Sequence, residues 1–199
     1  MLNAAGQWRP LSLIVRPKHL VMHSAFVEFP RERTEFSDAT YAMLGRALAY
    51  ATSFESICRA LSSLQHIRQR VRELRLSIQD ADDAFAAAVA EVWEQRLRQH
   101  VSRILEYQEF PSNVADTVRR AKSARNEIAH EIALGISHTA ETDAGRSDLL
   151  ATLSRLVHCI AQGYIIIELT SLIETHEPLP TPQFLSTYPP QIVEWVTKA

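Results

Sequence analysis

The sequence predicts an all-α protein, an antiparallel bundle of four to five long helices, and three observations favour this fold. Apolar residues recur three and four positions apart over four long segments, which is the spacing of a buried helix face. Only 5 of the 199 residues are glycine, and the connections between the segments are short. A chain of this length buries roughly 70 % of its unfolded surface on folding. We therefore expect a hydrophobic core that needs neither a disulfide nor a metal.

The first predicted helix follows an N-terminal arm. Residues 1–36 are punctuated by prolines and alternate partly between apolar and polar, so we expect an extended arm or a short strand pair there. Ser37 is a favourable N-cap, and Asp38 suits the positive end of the helix dipole. The helix runs to about residue 77, as one helix or as two stacked end to end. Its apolar positions are Leu44, Leu48, Ala51, Ile57, Leu61, Leu64, Ile67, Val71 and Leu74.

Three further helices complete the predicted bundle. The second covers residues 82–108, the third about 112–135 and the fourth 148–174. Pro111 marks the start of the third helix, and Ser147 is a favourable N-cap for the fourth. These boundaries predict that the bundle domain occupies residues 37–175.

The C-terminal segment, residues 176–199, is predicted as a Pro-rich tail. Its five prolines precede a short apolar stretch, residues 192–196. An exposed apolar stretch is unfavourable in water, so we expect it to dock onto the bundle or onto a second copy of it.

The charge is small overall but unevenly distributed. The net charge is −2; residues 1–125 carry +4 and residues 126–199 carry −6. Arginine outnumbers lysine 18 to 3. Guanidinium groups bind phosphate bidentately, so this bias is compatible with a nucleic-acid partner. The codon usage of a GC-rich genome would produce the same bias, and charge alone does not decide the function.

The sequence contains none of the usual signatures of metal or cofactor sites. His130 and Glu131 are followed by Leu134 where a zinc HExxH motif needs a second histidine. Glycine-rich phosphate loops and the GxSxG motif of serine hydrolases are also absent. We therefore expect no metal and no cofactor.

The cysteines and the apolar runs indicate a protein of a reducing compartment. Cys58 and Cys159 lie in apolar helical stretches, where buried reduced thiols are favoured over a disulfide. The N-terminal apolar stretch is interrupted at Arg16, and no apolar run approaches the roughly 20 residues of a membrane span. A cytoplasmic protein without a membrane partner is predicted.

One segment of the third helix, Arg125-Asn126-Glu127-Ile128-Ala129-His130, combines residue types that carry chemistry. In an α-helix Asn126 and His130 share a face, so the amide is able to orient the imidazole. With Ile128 directed at the core, His130 lies about 200° away on the polar face. Arg125 lies only about 60° from Ile128. A buried guanidinium is costly without a partner, so Arg125 must meet a carboxylate or emerge at an interface.

This RNEIAH segment resembles the motif of the HEPN superfamily (higher eukaryotes and prokaryotes nucleotide-binding), in which an arginine and a polar residue precede a histidine on a late helix. The resemblance covers about residues 37–175, although its specific part is six residues long. It implies an all-α bundle and a homodimer whose motif helices form a composite cleft. Many HEPN proteins are metal-independent ribonucleases of toxin–antitoxin or phage-defence systems, so RNA and an antitoxin or defence partner are the implied partners.

The resemblance assigns roles to three residues. His130 would be the acid/base, Arg125 the cation that stabilises the phosphorane, and Asn126 an orienting group or a second phosphate contact. Some HEPN toxins carry a tyrosine two residues after the histidine as a modification site, whereas this chain has Ile132. Glu127 and Glu131 flank the motif, and if these carboxylates line the cleft they favour the non-catalytic branch of the family.

Further cations are candidates for RNA contacts. Arg119 and Lys122 lie on the motif helix, and Arg68, Arg72 and Arg75 share a face of the first helix at three-and-four spacing. The first-helix set is either a phosphate-tracking ridge or a solvated face paired with the acidic fourth helix.

Three functions thus stay open. A metal-independent endoribonuclease is the leading hypothesis. The alternative is a non-catalytic HEPN-like module that binds nucleotide, RNA or a partner protein. In the third, the chain is a helical scaffold and the RNEIAH segment is a coincidence.

Overall fold

Helices form where the apolar residues recur at helical spacing, and the all-α class is confirmed. The computed structural model describes residues 35–74, 90, 95–132 and 142–198. Within these ranges there are helices and turns but no strands. The α-helices are α1 (Glu35–Leu74), α2 (Leu97–Gln108), α3 (Ser112–Asn126), α4 (Asp143–Thr175) and α5 (Pro182–Thr197), and a π-helical turn (Glu127–Ile132) continues α3.

Some predictions lie outside the described residues. They include the arm up to residue 34, the second helix from 82 to 89 and from 91 to 94, and the end of the third helix at Gly135. The second helix was predicted to continue through residues 95 and 96, but α2 begins at Leu97, after its N-cap Arg96. Helix α1 is one continuous helix of 40 residues rather than two stacked end to end, and it begins at Glu35, so Ser37 lies inside the helix and is not its N-cap.

Helix α4 begins earlier than predicted. Its N-cap is Thr142, whose side-chain oxygen accepts a hydrogen bond from the backbone of Gly145 at 3.1 Å. Ser147 therefore lies inside the helix. Threonine and serine both serve as N-caps, so the sequence offered two starts about one turn apart.

The C-terminal tail is largely helical, which its prolines did not predict. Pro182 occupies the start of α5, where its missing N–H costs nothing, and the side chain of Thr181 accepts a hydrogen bond from the backbone of Phe184. Pro189 is buried and Val196 is fully buried. Arg46 of α1 donates to the backbone carbonyl oxygen of Val196 at 3.0 Å. The tail thus docks onto the bundle.

The core lies around α4. Its buried side chains meet those of α1, α2 and α3, and the largest fully buried ones are Phe54, Leu61, Ile104, Val118, Ile128, Leu153, Leu156, Ile160 and Ile167. Cys58 is also buried, and burial raises the pKa of its thiol well above the usual range. Both Cys58 and Cys159 are free thiols.

The helices do not simply alternate in direction. Helix α3 is antiparallel to α4, because Glu127 meets Arg155 while Ala121 lies beside Gly163. Helices α1 and α4 run in the same sense, as the contacts Tyr50–Tyr164 and Arg68–Glu174 show. The predicted antiparallel arrangement therefore describes α3 and α4 but not α1 and α4.

By length and composition alone, α4 is also able to cross a membrane. The sequence analysis predicted no such segment, because it considered only uninterrupted apolar runs. Leu153, Ile160 and Ile167 of this helix are fully buried in the bundle. A core helix meets the same criterion as a membrane span, so this feature is weak support for a membrane location.

Candidate functional site

The RNEIAH segment lies where α3 changes into the π-helical turn. Arg125 and Asn126 are the last residues of α3, and His130 lies within the turn. A π-helix closes hydrogen bonds between residues five apart and takes more residues per turn than an α-helix. Arg125 and His130 are five residues apart, so the turn brings them closer to one face than regular α-helical geometry would. Such π turns occur frequently at functional sites.

The turn exposes the polar residues of the motif. Ile128 is 1 % exposed and belongs to the core. Asn126 and His130 are exposed, while the side chain of Arg125 is 19 % exposed at the edge of the core. This placement agrees with the faces predicted from helical spacing.

Arg125 is held by Glu55 of α1. The guanidinium donates through Nη2 to Glu55 Oε2, and the other carboxylate oxygen, Oε1, lies 3.3 Å from Arg59. Sequence analysis expected a carboxylate as one of two solutions for Arg125 but did not identify it. The three side chains together carry a net charge of +1, because one carboxylate lies between two guanidiniums.

Asn126 extends this network toward the surface. Its side-chain oxygen accepts a hydrogen bond from Arg125 Nη1 at 3.4 Å, so the amide oxygen contacts the motif arginine. The Nη2 edge of the guanidinium is therefore anchored inside the bundle, and the Nη1 edge is directed toward the exposed amide. The arrangement presents a fixed cation, an amide and a solvent-accessible imidazole on neighbouring positions.

A second carboxylate beside the motif is also paired. Glu127 accepts from Arg155 of α4 at 3.2 Å. The sequence analysis took Glu127 as a reason to doubt a phosphate site. Arg155 reduces that negative charge, although the arginine is largely exposed and the pair is correspondingly weak.

The predicted RNA contacts fall into two groups. Arg119 is exposed and forms an ion pair with Asp116 at 2.7 Å, and Lys122 is half-buried, both on the motif helix. Arg68 lies 13 residues from Glu55, about 20 Å along α1. The structure therefore does not bring Arg68 to the motif.

The first-helix cations have partners of their own. Arg68 forms an ion pair with Glu174 of α4 and also donates to the carbonyl oxygen of that residue at 2.6 Å. Arg72 lies 3.4 Å from the hydroxyl of Tyr107, and Arg75 lies outside the described residues. The contacts of Arg68 correspond to the interpretation in which this face pairs with the fourth helix.

One property of the site bears on its metal chemistry. In the part of the chain that the structure describes, no three His, Cys, Asp or Glu side chains converge as a metal site.

The sequence analysis missed Glu55, Arg59 and Arg155, because their roles depend on contacts between helices. Comparison with known proteins gave no match among protein-family models, curated proteins or solved structures.

Proposed function

We propose that this chain is a metal-independent endoribonuclease of the HEPN type, acting as a homodimer through α3. One observation carries the proposal. An exposed histidine, His130, lies on a π-helical turn, and an exposed amide, Asn126, immediately precedes that turn beside Arg125, whose guanidinium is anchored by Glu55. An acid/base and a fixed cation are the groups needed to cleave a molecule that carries its own nucleophile.

RNA is such a molecule. His130 removes the proton from the 2′-hydroxyl, the 2′-oxygen attacks the adjacent phosphorus, and the bond from phosphorus to the 5′-oxygen breaks. The leaving 5′-oxygen takes up a proton, supplied by the imidazolium of His130 in this protomer or in its partner. The products are a 2′,3′-cyclic phosphate and a 5′-hydroxyl.

Arg125 and Asn126 stabilise the phosphorane. The Nη1 edge of Arg125 and the Asn126 amide donate to the equatorial oxygens, where negative charge accumulates. Glu55 fixes the guanidinium through its Nη2 edge, so little reorganisation is needed when that charge develops.

The setting belongs to the same proposal. We place the protein in the cytoplasm, as the toxin of a toxin–antitoxin pair or as a component of phage defence, where a partner protein controls it. This assignment depends on the RNEIAH resemblance.

The test is cleavage of total RNA in excess EDTA by the wild type and His130→Ala, with identification of the ends formed. We expect cyclic-phosphate ends from the wild type and a loss of at least about 100-fold in the variant, the usual range for general acid–base catalysis. His176→Asn is the matched control, because His176 is exposed at the opposite end of α4 in a left-handed conformation that asparagine tolerates. Equal cleavage by His130→Ala would refute the assignment.

A second candidate is a non-catalytic module that binds RNA or a partner through the same surface. The ion pair between Arg125 and Glu55 favours it, because a paired guanidinium offers less charge to a transition state. RNA binding without cleavage, by a folded and dimeric wild type, would support this candidate. A monomer at micromolar concentration in light scattering would contradict both.

A further inference from the structure

A groove of about 400 Å³ lies at the junction of α3, α4 and α5. Its volume falls within the range of small-ligand pockets. The groove has an apolar floor that includes Ile165 and Pro189, and polar walls that include Arg120, His158 and Gln162. It contains no aspartate or glutamate among its lining residues.

Arg120 brings an unneutralised positive charge to this groove. The neighbouring carboxylate of Asp116 forms its ion pair with Arg119. Arg120 donates to the Thr117 hydroxyl at 3.1 Å, and within residues 35–74, 95–132 and 142–198 it forms no ion pair. A solvent-accessible guanidinium of this kind binds a phosphate bidentately.

The other walls suit the rest of a nucleotide. Gln162 is exposed and carries both a donor and an acceptor, which match the hydrogen-bonding edge of a base. Ile165 and Pro189 supply the apolar surface against which a base packs once it leaves its stack. Neither contact is available to a base that remains paired within a duplex.

The groove is connected to the motif along one face of α3. Arg120, Ser123, Asn126 and His130 are all exposed and follow one another three, three and four residues apart. The stripe spans about 15 Å, at 1.5 Å per residue, and contains no acidic residue. Between His130 and Arg120, this stripe therefore presents the uncharged polar side chains of Asn126 and Ser123 to an RNA strand.

From these observations we propose that the groove binds one flanking nucleotide of a single-stranded RNA, with its phosphate on Arg120 and its base beside Gln162. The inference rests on the proposed ribonuclease function, because the cleavage site at His130 sets the direction in which the RNA strand extends along α3. It adds a subsite near the middle of that helix, about 15 Å from His130 along its axis.

The test uses the full chain carrying His130→Ala, with fluorescence anisotropy of labelled single-stranded RNA homopolymers at several salt concentrations. Adding Arg120→Ala should weaken binding of every homopolymer about tenfold, with the salt dependence reduced by about one counterion. Adding Gln162→Leu should change the order of affinity among the homopolymers. Arg98→Ala, an equal charge change on the exposed face of α2, is the matched control.

The outcomes separate this inference from the proposed function. If Arg120→Ala binds like Arg98→Ala, or if duplex RNA binds as tightly as a single strand, the groove is not the subsite. If Arg120→Ala weakens binding while the wild type never cleaves, the subsite stands and the ribonuclease assignment fails. If the wild type cleaves and Arg120→Ala changes neither KM nor affinity, the subsite alone is wrong.

Discussion

At the scale of single residues, Glu55 links the stability of the bundle to the position of the motif arginine. Its carboxylate contacts Arg125 and Arg59 while its own side chain is 19 % exposed. Removing one partner of a poorly solvated ion pair leaves the other charge uncompensated. The stability of the bundle and the position of the motif guanidinium therefore depend on the same carboxylate.

We expect Glu55→Gln to lower the free energy of unfolding by about 2 kcal/mol, since two guanidiniums lose a charged acceptor at a half-buried position. Urea denaturation followed by circular dichroism measures this loss. Glu177→Gln, on an exposed residue after α4, makes the same chemical change without such contacts. Equal midpoints for the two variants would show that the network contributes nothing to stability.

What sequence predicts at this scale has a physical limit. The exposure of His130 and the burial of Ile128 follow from spacing along one helix. The pairing of Arg125 with Glu55 joins residues 70 positions apart, and it depends on how α1 and α3 pack. The π-helical turn has no composition signal that separates it from the α-helix before it.

At the scale of helices, a glycine of α4 packs directly against α3. A methyl group added at Gly163 would collide with the Cβ of Ala121, which has no flexible end to move aside. Gly45 in α1 has no neighbouring atom within 4 Å of the same position. Alanine substitution at each of the two glycines therefore separates the effect of side-chain packing on stability from the effect of helix propensity.

Gly45→Ala should stabilise the protein by up to about 1 kcal/mol, because alanine favours helix and meets no obstacle. Gly163→Ala should instead destabilise it by about 1–2 kcal/mol, since overpacking outweighs the same gain in propensity. Thermal denaturation of both variants checks the opposite signs. A stabilised Gly163→Ala would mean that α3 and α4 are less closely packed than described here.

The sequence also misjudged some helices for identifiable reasons. Pro189 and Pro190 normally end a helix, yet α5 continues through them, with Pro189 and Val196 buried and Ile192 packed against the core. The start of α4 was placed five residues late, because Thr142 and Ser147 are both competent caps. Where a helix carried a long apolar stripe, as α1 does, its existence and type were predicted correctly.

At the scale of the whole molecule, the fold buries a titratable group where α1 and α2 meet. His100 is fully buried, and its Nε2 lies 3.1 Å from the carbonyl oxygen of Gln95. Burial lowers the pKa of this imidazole below its usual 6.5, and the nearby Arg59 and Arg103 also lower it, while the hydrogen bond to Gln95 and the charge of Glu55 oppose the shift without reversing it. The folded protein thus favours neutral His100.

Acid should therefore destabilise the protein through this residue. Below about pH 6.5, His100 binds a proton more readily in the unfolded chain than in the folded chain. The free energy of unfolding therefore falls with decreasing pH, by at most about 1.4 kcal/mol per pH unit. We expect a larger loss between pH 7 and pH 5 for the wild type than for His100→Gln, measured by urea denaturation. His176→Gln, which alters an exposed histidine, should retain the wild-type pH dependence, and identical slopes in all three proteins would contradict the argument.

The π-helical turn determines how a one-residue deletion near the motif acts on this protein. In a π-helix, side chains five residues apart lie near the same face, as side chains four residues apart do in an α-helix. A chain one residue shorter between Arg125 and His130 would thus keep the two side chains neighbours by adopting a regular helix. Loss of one residue here is absorbed by the change from a π-helical to an α-helical turn, so the pair tolerates a deletion that would separate it in a rigid helix.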